Sequence, residues 1–159
     1  VIAACQEADT VVSAFNPGWD NPQIYEDTLN TYSTIVEGAK MASVKRLLVV
    51  GGAGSLFVEP DVRLVESGHI PAKILPGVKA LSKVYLDILL NEKELDWAFL
   101  APSANLFQGE RTGKFRVGTD SLLVDEKGES SISIQDYAVA MMDEVEHPKH
   151  HREIFTAGY

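Results

Sequence analysis

Arg46-Leu47-Leu48-Val49-Val50-Gly51-Gly52-Ala53-Gly54-Ser55 is the stretch that decides the fold. Its four consecutive apolar residues leave no polar face. They predict a strand covered on both sides, the pattern of a parallel sheet. The glycines that follow at once predict a turn where backbones approach closely.

Upstream, Thr10-Val11-Val12-Ser13-Ala14-Phe15 is a second short β-branched run, and Asn16-Pro17-Gly18-Trp19 follows as a turn. Asn21 then predicts a helix cap with Pro22 at the first position. Tyr25, Leu29, Tyr32, Val36 and Ala39 recur at helical spacing. Val1 to Asp9 looks like a helix already in progress, so the chain is expected to continue a longer one.

Downstream, Leu56 to Leu75 contains Pro60, Gly68 and Pro71 and predicts a long loop with at most a short helix. Gly77 to Asn91 predicts a helix with Val78, Leu81, Tyr85, Ile88 and Leu89 on one side. Trp97 to Ala101 is a third apolar strand, stopped by Pro102. Residues 103–131 predict a small irregular lobe punctuated by glycines, with extended pieces at Lys114–Val117 and Ser121–Val124. Ser133 caps another helix, with Asp136 in its first turn and Tyr137, Ala140, Met141 and Val145 on its apolar face. Phe155 to Tyr159 predicts a last strand. Buried strands alternating with helices predict an α/β domain with a doubly wound parallel sheet.

Composition narrows the function. The 159 residues carry a formal net charge of -9, with basic residues scattered, which argues against a nucleic-acid partner. Cys5 is the only cysteine, so neither an internal disulfide nor a cysteine-based zinc site is expected. No apolar run approaches the roughly 20 residues of a membrane span. His147-Pro148-Lys149-His150-His151 lacks metal-ligand spacing and predicts a solvated helix end. A cytoplasmic setting fits these features.

The segments Asp9 to Phe15, Arg46 to Ser55, Gly77 to Asp87 and Asp96 to Ala104 resemble the second half of the short-chain dehydrogenase/reductase superfamily. The resemblance is to its atypical, NAD(P)-binding branch of epimerase-like and NADH-flavin-reductase-like proteins. It implies a Rossmann-type sheet and NAD or NADP as cofactor. The family's glycine-rich pyrophosphate turn is not found, because no strand here leads through Gly-x-Gly-x-x-Gly into a helix. Residues 1–159 are therefore expected to be the C-terminal part of one NAD(P)-binding domain. The N-terminal part is expected to be absent from this chain, and 103–131 to form a lobe on the substrate side. The strand at Thr10 would then lack a neighbour, and a bare edge invites aggregation.

The resemblance also implies a site. Ser13, Ala14, Phe15 and Asn16 would lie near the adenosine ribose. Gly51, Gly52 and Ala53 would lie under the nicotinamide. Backbone groups of Ala101, Pro102 and Ser103 would hold its carboxamide. The family's substrate-holding serine falls on Ala53, leaving Ser55 as the catalytic candidate. Lys83 matches the lysine of Tyr-x-x-x-Lys and is implied as a second catalytic candidate and as a ligand of the cofactor ribose, but Lys79 stands where the tyrosine belongs, so the proton-transfer machinery is incomplete. Tyr85 is out of register and predicts core. No metal site is expected.

An NAD(P)H-dependent oxidoreductase acting on a flavin or small carbonyl compound is the expected function. A sugar-nucleotide epimerase/dehydratase and a non-catalytic NAD(P)-sensing module are the alternatives. Oligomeric state is left open.

Overall fold

The computed structural model describes residues 1–159. A four-residue helix, α1 (Ile2–Cys5), precedes β1 (Thr10–Ser13) and the long α2 (Ile24–Met41). β2 (Arg46–Val50) ends in a single 3-10 turn at Ala53–Ser55. A small antiparallel hairpin follows, β3 (Phe57–Glu59) and β4 (Val62–Arg63). Next come α3 (Leu75–Lys83) and β5 (Asp96–Pro102). The lobe contributes β6 (Asn105–Phe107), β7 (Arg116–Gly118) and β8 (Ser131–Ser133). α4 (Ile134–Glu146) and β9 (Glu153–Gly158) close the chain.

The main sheet has the order β1-β2-β5-β9-β7. Its first four strands are parallel, and β7 runs antiparallel to β9. Both faces are covered, as the apolar run in β2 requires. On one face Leu47, Val49, Trp97, Phe99 and Ala101 pack with Tyr32, Val36 and Ala39 of α2 and with Val84, Tyr85 and Leu89. On the other, Leu48, Ala98, Leu100, Phe155 and Ala157 pack against Tyr137, Ala140 and Met141 of α4. Each fully buried large side chain contributes about 1.5–3 kcal/mol, so these two layers hold the strand ends rigid. No helix is long and apolar enough to cross a membrane.

Several local expectations are corrected. Asn21 does not cap α2. Its Oδ1 accepts from the Gln23 amide at 2.9 Å and its Nδ2 donates to Asp27 at 2.8 Å, so a side-chain turn precedes the helix. The helix beyond Gly77 starts earlier, at Leu75, and its second half, Val84–Leu89, is π-helical. The wider turn brings Val84, Tyr85 and Leu89 all into the core. The long loop contains the β3–β4 hairpin, which the sequence does not announce because its strands are only three and two residues long. Ser121–Val124 is not a strand. It is tied instead to Phe57, whose amide donates to the Asp120 carbonyl at 2.8 Å and whose carbonyl accepts from the Leu122 amide at 2.9 Å.

The tail Lys149–Arg152 is not merely a solvated helix end. Glu144, which is buried, accepts from the Arg46 guanidinium at 2.7 Å and from the His150 amide at 2.9 Å, and its Oε2 lies 2.7 Å from His150 Nδ1. The His150 ring stacks on Phe155 with centroids 4.0 Å apart. Burial alone would raise the Glu144 pKa. The His150, Lys149 and Arg46 donors outweigh it and hold the carboxyl below its ordinary value. This network clamps α4 to the first residues of β2 and β5, the sheet edge opposite the candidate site.

Candidate functional site

In an open parallel sheet, ligands lie beyond the carboxyl ends of the strands, where backbone groups and helix starts converge. Three of the segments singled out in sequence end here side by side. The order β1-β2-β5 places Ser13 in register with Val49, and Val50 with Leu100. The turns after β1, β2 and β5 therefore adjoin, which no spacing along the chain could have shown.

The turn after β1 is the most open part of this edge. Ser13 is buried, Ala14 and Asn16 are exposed, and Phe15 is half-buried against Tyr32. The Asn16 carboxamide accepts from the Gly18 amide at 2.7 Å, and Gly18 takes φ 105°, open to glycine. The chain then turns back so that Trp19 lies on the start of α3: a Cβ at Gly77 would come within 2.8 Å of the indole.

The glycines after β2 are required by packing. The Gly51 amide donates to the Leu100 carbonyl at 2.8 Å, and a Cβ there would sit 2.8 Å from that oxygen and against the Phe99 ring. A Cβ at Gly54 would collide with Val78. Gly52 and Ala53 remain half-exposed and are the part of the turn open to a ligand. The turn is also braced from beneath. The Tyr137 hydroxyl donates at 2.6 Å to the same Leu100 carbonyl. Burial pushes the Tyr137 pKa far up, so it stays a neutral donor. In sequence Tyr137 is only one position of an apolar helix face; its hydroxyl's partner is 37 residues away.

Four expected site residues, Ser55, Ser103, Ala101 and Pro102, are buried. Ser55 is fully buried, with its Oγ 3.3 Å from Ser82 Oγ and its carbonyl accepting from Arg63. Ser103 is buried and donates to the Ala157 carbonyl at 3.1 Å. Ala101 and Pro102 are buried strand residues. Lys83 lies on a different side of α3 from the residues that meet the turn after β2. Leu81 faces Gly52 and Ser82 faces Ser55, whereas Lys83 is two residues past Leu81, about 200° round the helix. It is half-exposed and pairs with Asp87 at 3.1 Å. Tyr85 is core, as expected: it packs on Trp97 and Phe99. Burial raises its pKa against the opposing pull of Arg63, whose guanidinium lies over the ring.

A polar cluster that the sequence does not reveal borders the same edge. Asp136, fully buried in the first turn of α4, accepts from the amides of Thr112 (2.9 Å) and Gly113 (2.8 Å) and from the hydroxyls of Thr112 (2.5 Å) and Tyr159 (2.7 Å). Burial opposes the charge, but these donors outweigh it and bring the carboxyl down to about 2. The expected cap also forms, with Ser133 Oγ accepting from the Asp136 amide at 3.0 Å. The carboxylate thus fastens the lobe to α4 and to the end of β9. In sequence only the Ser133 cap is visible, since Thr112 is 24 residues away.

The model of the NAD(P)H-binding family matches residues 1–148. The chain belongs to this NAD(P)H-binding family. Its resemblance to atypical short-chain dehydrogenases/reductases is borne out by individual members. The uncharacterised protein YwnB of Bacillus subtilis is 38% identical over 151 residues, spanning 93% of this chain and 69% of the relative. The crystal structure of a Bacteroides thetaiotaomicron protein, named a candidate epimerase, superposes with a TM-score of 0.93 at 54% identity. That match covers 99% of this chain and 70% of the other. A Streptococcus pneumoniae protein, named a candidate NADH-flavin reductase, matches at TM-score 0.80 and 33% identity, over 94% of this chain and 71% of its own. The Rossmann-type α/β fold and the binding of NAD or NADP follow from family membership.

Proposed function

We propose that the protein is an NAD(P)H-dependent oxidoreductase that passes a hydride to a flavin or small carbonyl compound at the carboxyl edge of β1, β2 and β5. We also take residues 1–159 to be the C-terminal part of one dinucleotide-binding domain, with 103–131 as its substrate-side lobe. The unpaired outer edge of β1 and the 70% span of the Bacteroides relative support that division.

One observation carries the choice of chemistry. The side chains that could exchange a proton at this edge are engaged inside the protein: Ser55 with Ser82, Ser103 with Ala157, and Tyr137 with Leu100. What remains toward a ligand is backbone, at Ala14 to Asn16 and at Gly52 and Ala53. Such an edge can bind and orient but is poorly supplied with acids. Hydride transfer to a flavin asks mainly for proximity and orientation. When bound, reduced NAD(P)H supplies the hydride. The chain's part is to hold the ring over a turn that Gly51 and Tyr137 make rigid. The turn fits such a ligand because Gly52 and Ala53 stay half-exposed there.

Epimerase/dehydratase chemistry is the second reading, favoured by the name of the Bacteroides relative. It needs an acid/base at the sugar carbon, and Lys79 stands where a tyrosine would serve. Cys5 as the sole, buried cysteine supports a cytoplasmic setting.

The test uses the intact protein. Its affinity for NADH and NADPH is measured, and loss of reduced-cofactor absorbance is then followed with FMN or riboflavin added. Cofactor binding with acceptor-dependent oxidation is expected. Binding without oxidation of any acceptor would leave the sensing module as the better account.

A further inference from the structure

Trp19 is 49% exposed, a large apolar surface to leave in water, yet it is not loosely held. Gly18 provides the backbone conformation that returns the chain toward α3. Gly77 has no side chain where the benzo edge of the indole rests; a Cβ there would come within 2.8 Å of it and 2.7 Å of Ile24. The adjacent Asp20 pairs with Lys73 at 3.1 Å, joining the turn after β1 to the loop before α3. The Gly77 position thus seats one side of the ring, and about half of the residue stays exposed.

Its position is what gives the exposure meaning. Gly77 neighbours Val78, and Val78 packs on Gly54 of the turn after β2. Trp19 therefore flanks the same edge as Ala14 to Asn16 and Gly52 and Ala53. An indole backed by protein on one side and free on the other stacks well with planar, electron-poor rings, which prefer offset-stacked geometry.

Resting on the functional reading above, we propose that the free side of the Trp19 indole is a stacking surface for a planar heteroaromatic ring of the ligand, supplied by the nicotinamide dinucleotide or by a flavin acceptor. Trp19 contributes affinity and orientation and transfers no proton.

The test titrates the intact wild-type protein, Trp19→Ala and Trp19→Phe with NADH, NADPH and FMN in separate arms, alongside thermal melts. Trp19→Ala is expected to bind at least one of these ligands about three- to tenfold more weakly, with Trp19→Phe close to wild type and the melts nearly unchanged. Weakening confined to the dinucleotides would assign the ring to the cofactor; weakening confined to FMN would assign it to the acceptor. Equal affinities for Trp19→Ala and wild type would overturn the proposal while leaving the function intact, as would Trp19→Phe binding as weakly as Trp19→Ala. A wild-type protein that binds none of the three overturns the functional reading and the stacking surface together.

Discussion

At the scale of single residues, Asp136 and Lys83 show how far side-chain identity departs from role. Asp136 occupies an ordinary first-turn position, yet it gathers four donors from the lobe and the end of β9. Asp136→Ala leaves those donors unmet and is expected to cost on the order of 2–3 kcal/mol, measured by urea unfolding, with faster amide exchange at 109–118. Its pH dependence has a definite sign. The folded-state value of about 2 lies below the unfolded value of roughly 3.9. The stabilisation is therefore fully present above about pH 4 and is lost as pH falls toward 2. An unchanged stability in Asp136→Ala would deny the cluster any holding role. Lys83 is the reverse case, conspicuous in sequence and turned to Asp87 in the fold. Lys83→Ala is expected to leave dinucleotide affinity within about twofold of wild type; a drop of tenfold, about 1.4 kcal/mol, would restore it to the site.

At the scale of elements, the two ends of the sheet do different work. The carboxyl edge is a row of turns, and the amino edge is closed by Arg46, Glu144, His150 and Asp96. Removing one member of a buried ion pair strands the other charge, so Glu144→Ala is expected to destabilise by about 3–5 kcal/mol, visible as a lowered melting temperature at neutral pH. Because Glu144 is held below its ordinary value, that contribution exists above the unfolded pKa of roughly 4.3 and fades as pH falls through the lower folded value. The stability difference between Glu144→Ala and wild type should therefore shrink in acid. The four parallel strands of the main sheet were legible in sequence to within a few residues because short apolar runs are local signals. β2 matches to the residue at Arg46–Val50. The Glu144 clamp was not legible, because Arg46 and Glu144 are 98 residues apart and each alone resembles a surface charge. The π-helical turn at Val84–Leu89 was hidden because the apolar positions that it serves also satisfy ordinary helical spacing.

At the scale of the whole molecule, the α/β class follows from alternation alone, while the site follows from strand order. The turns at Ser13–Asn16 and Gly51–Ala53 were singled out by resemblance, and the order β1-β2-β5 makes them neighbours. The catalytic candidates fared differently, since hydroxyl burial depends on partners such as Ser82 that no local pattern identifies. Dinucleotide binding at the carboxyl edge is the claim on which the rest depends. Amide hydrogen exchange of the intact protein with and without saturating NADH or NADPH tests this most directly. Added protection concentrated at residues 13–19 and 51–54, with 144–152 unchanged, is the predicted result. No protection from either cofactor, or protection centred on the amino edge around Glu144 and His150, would contradict it.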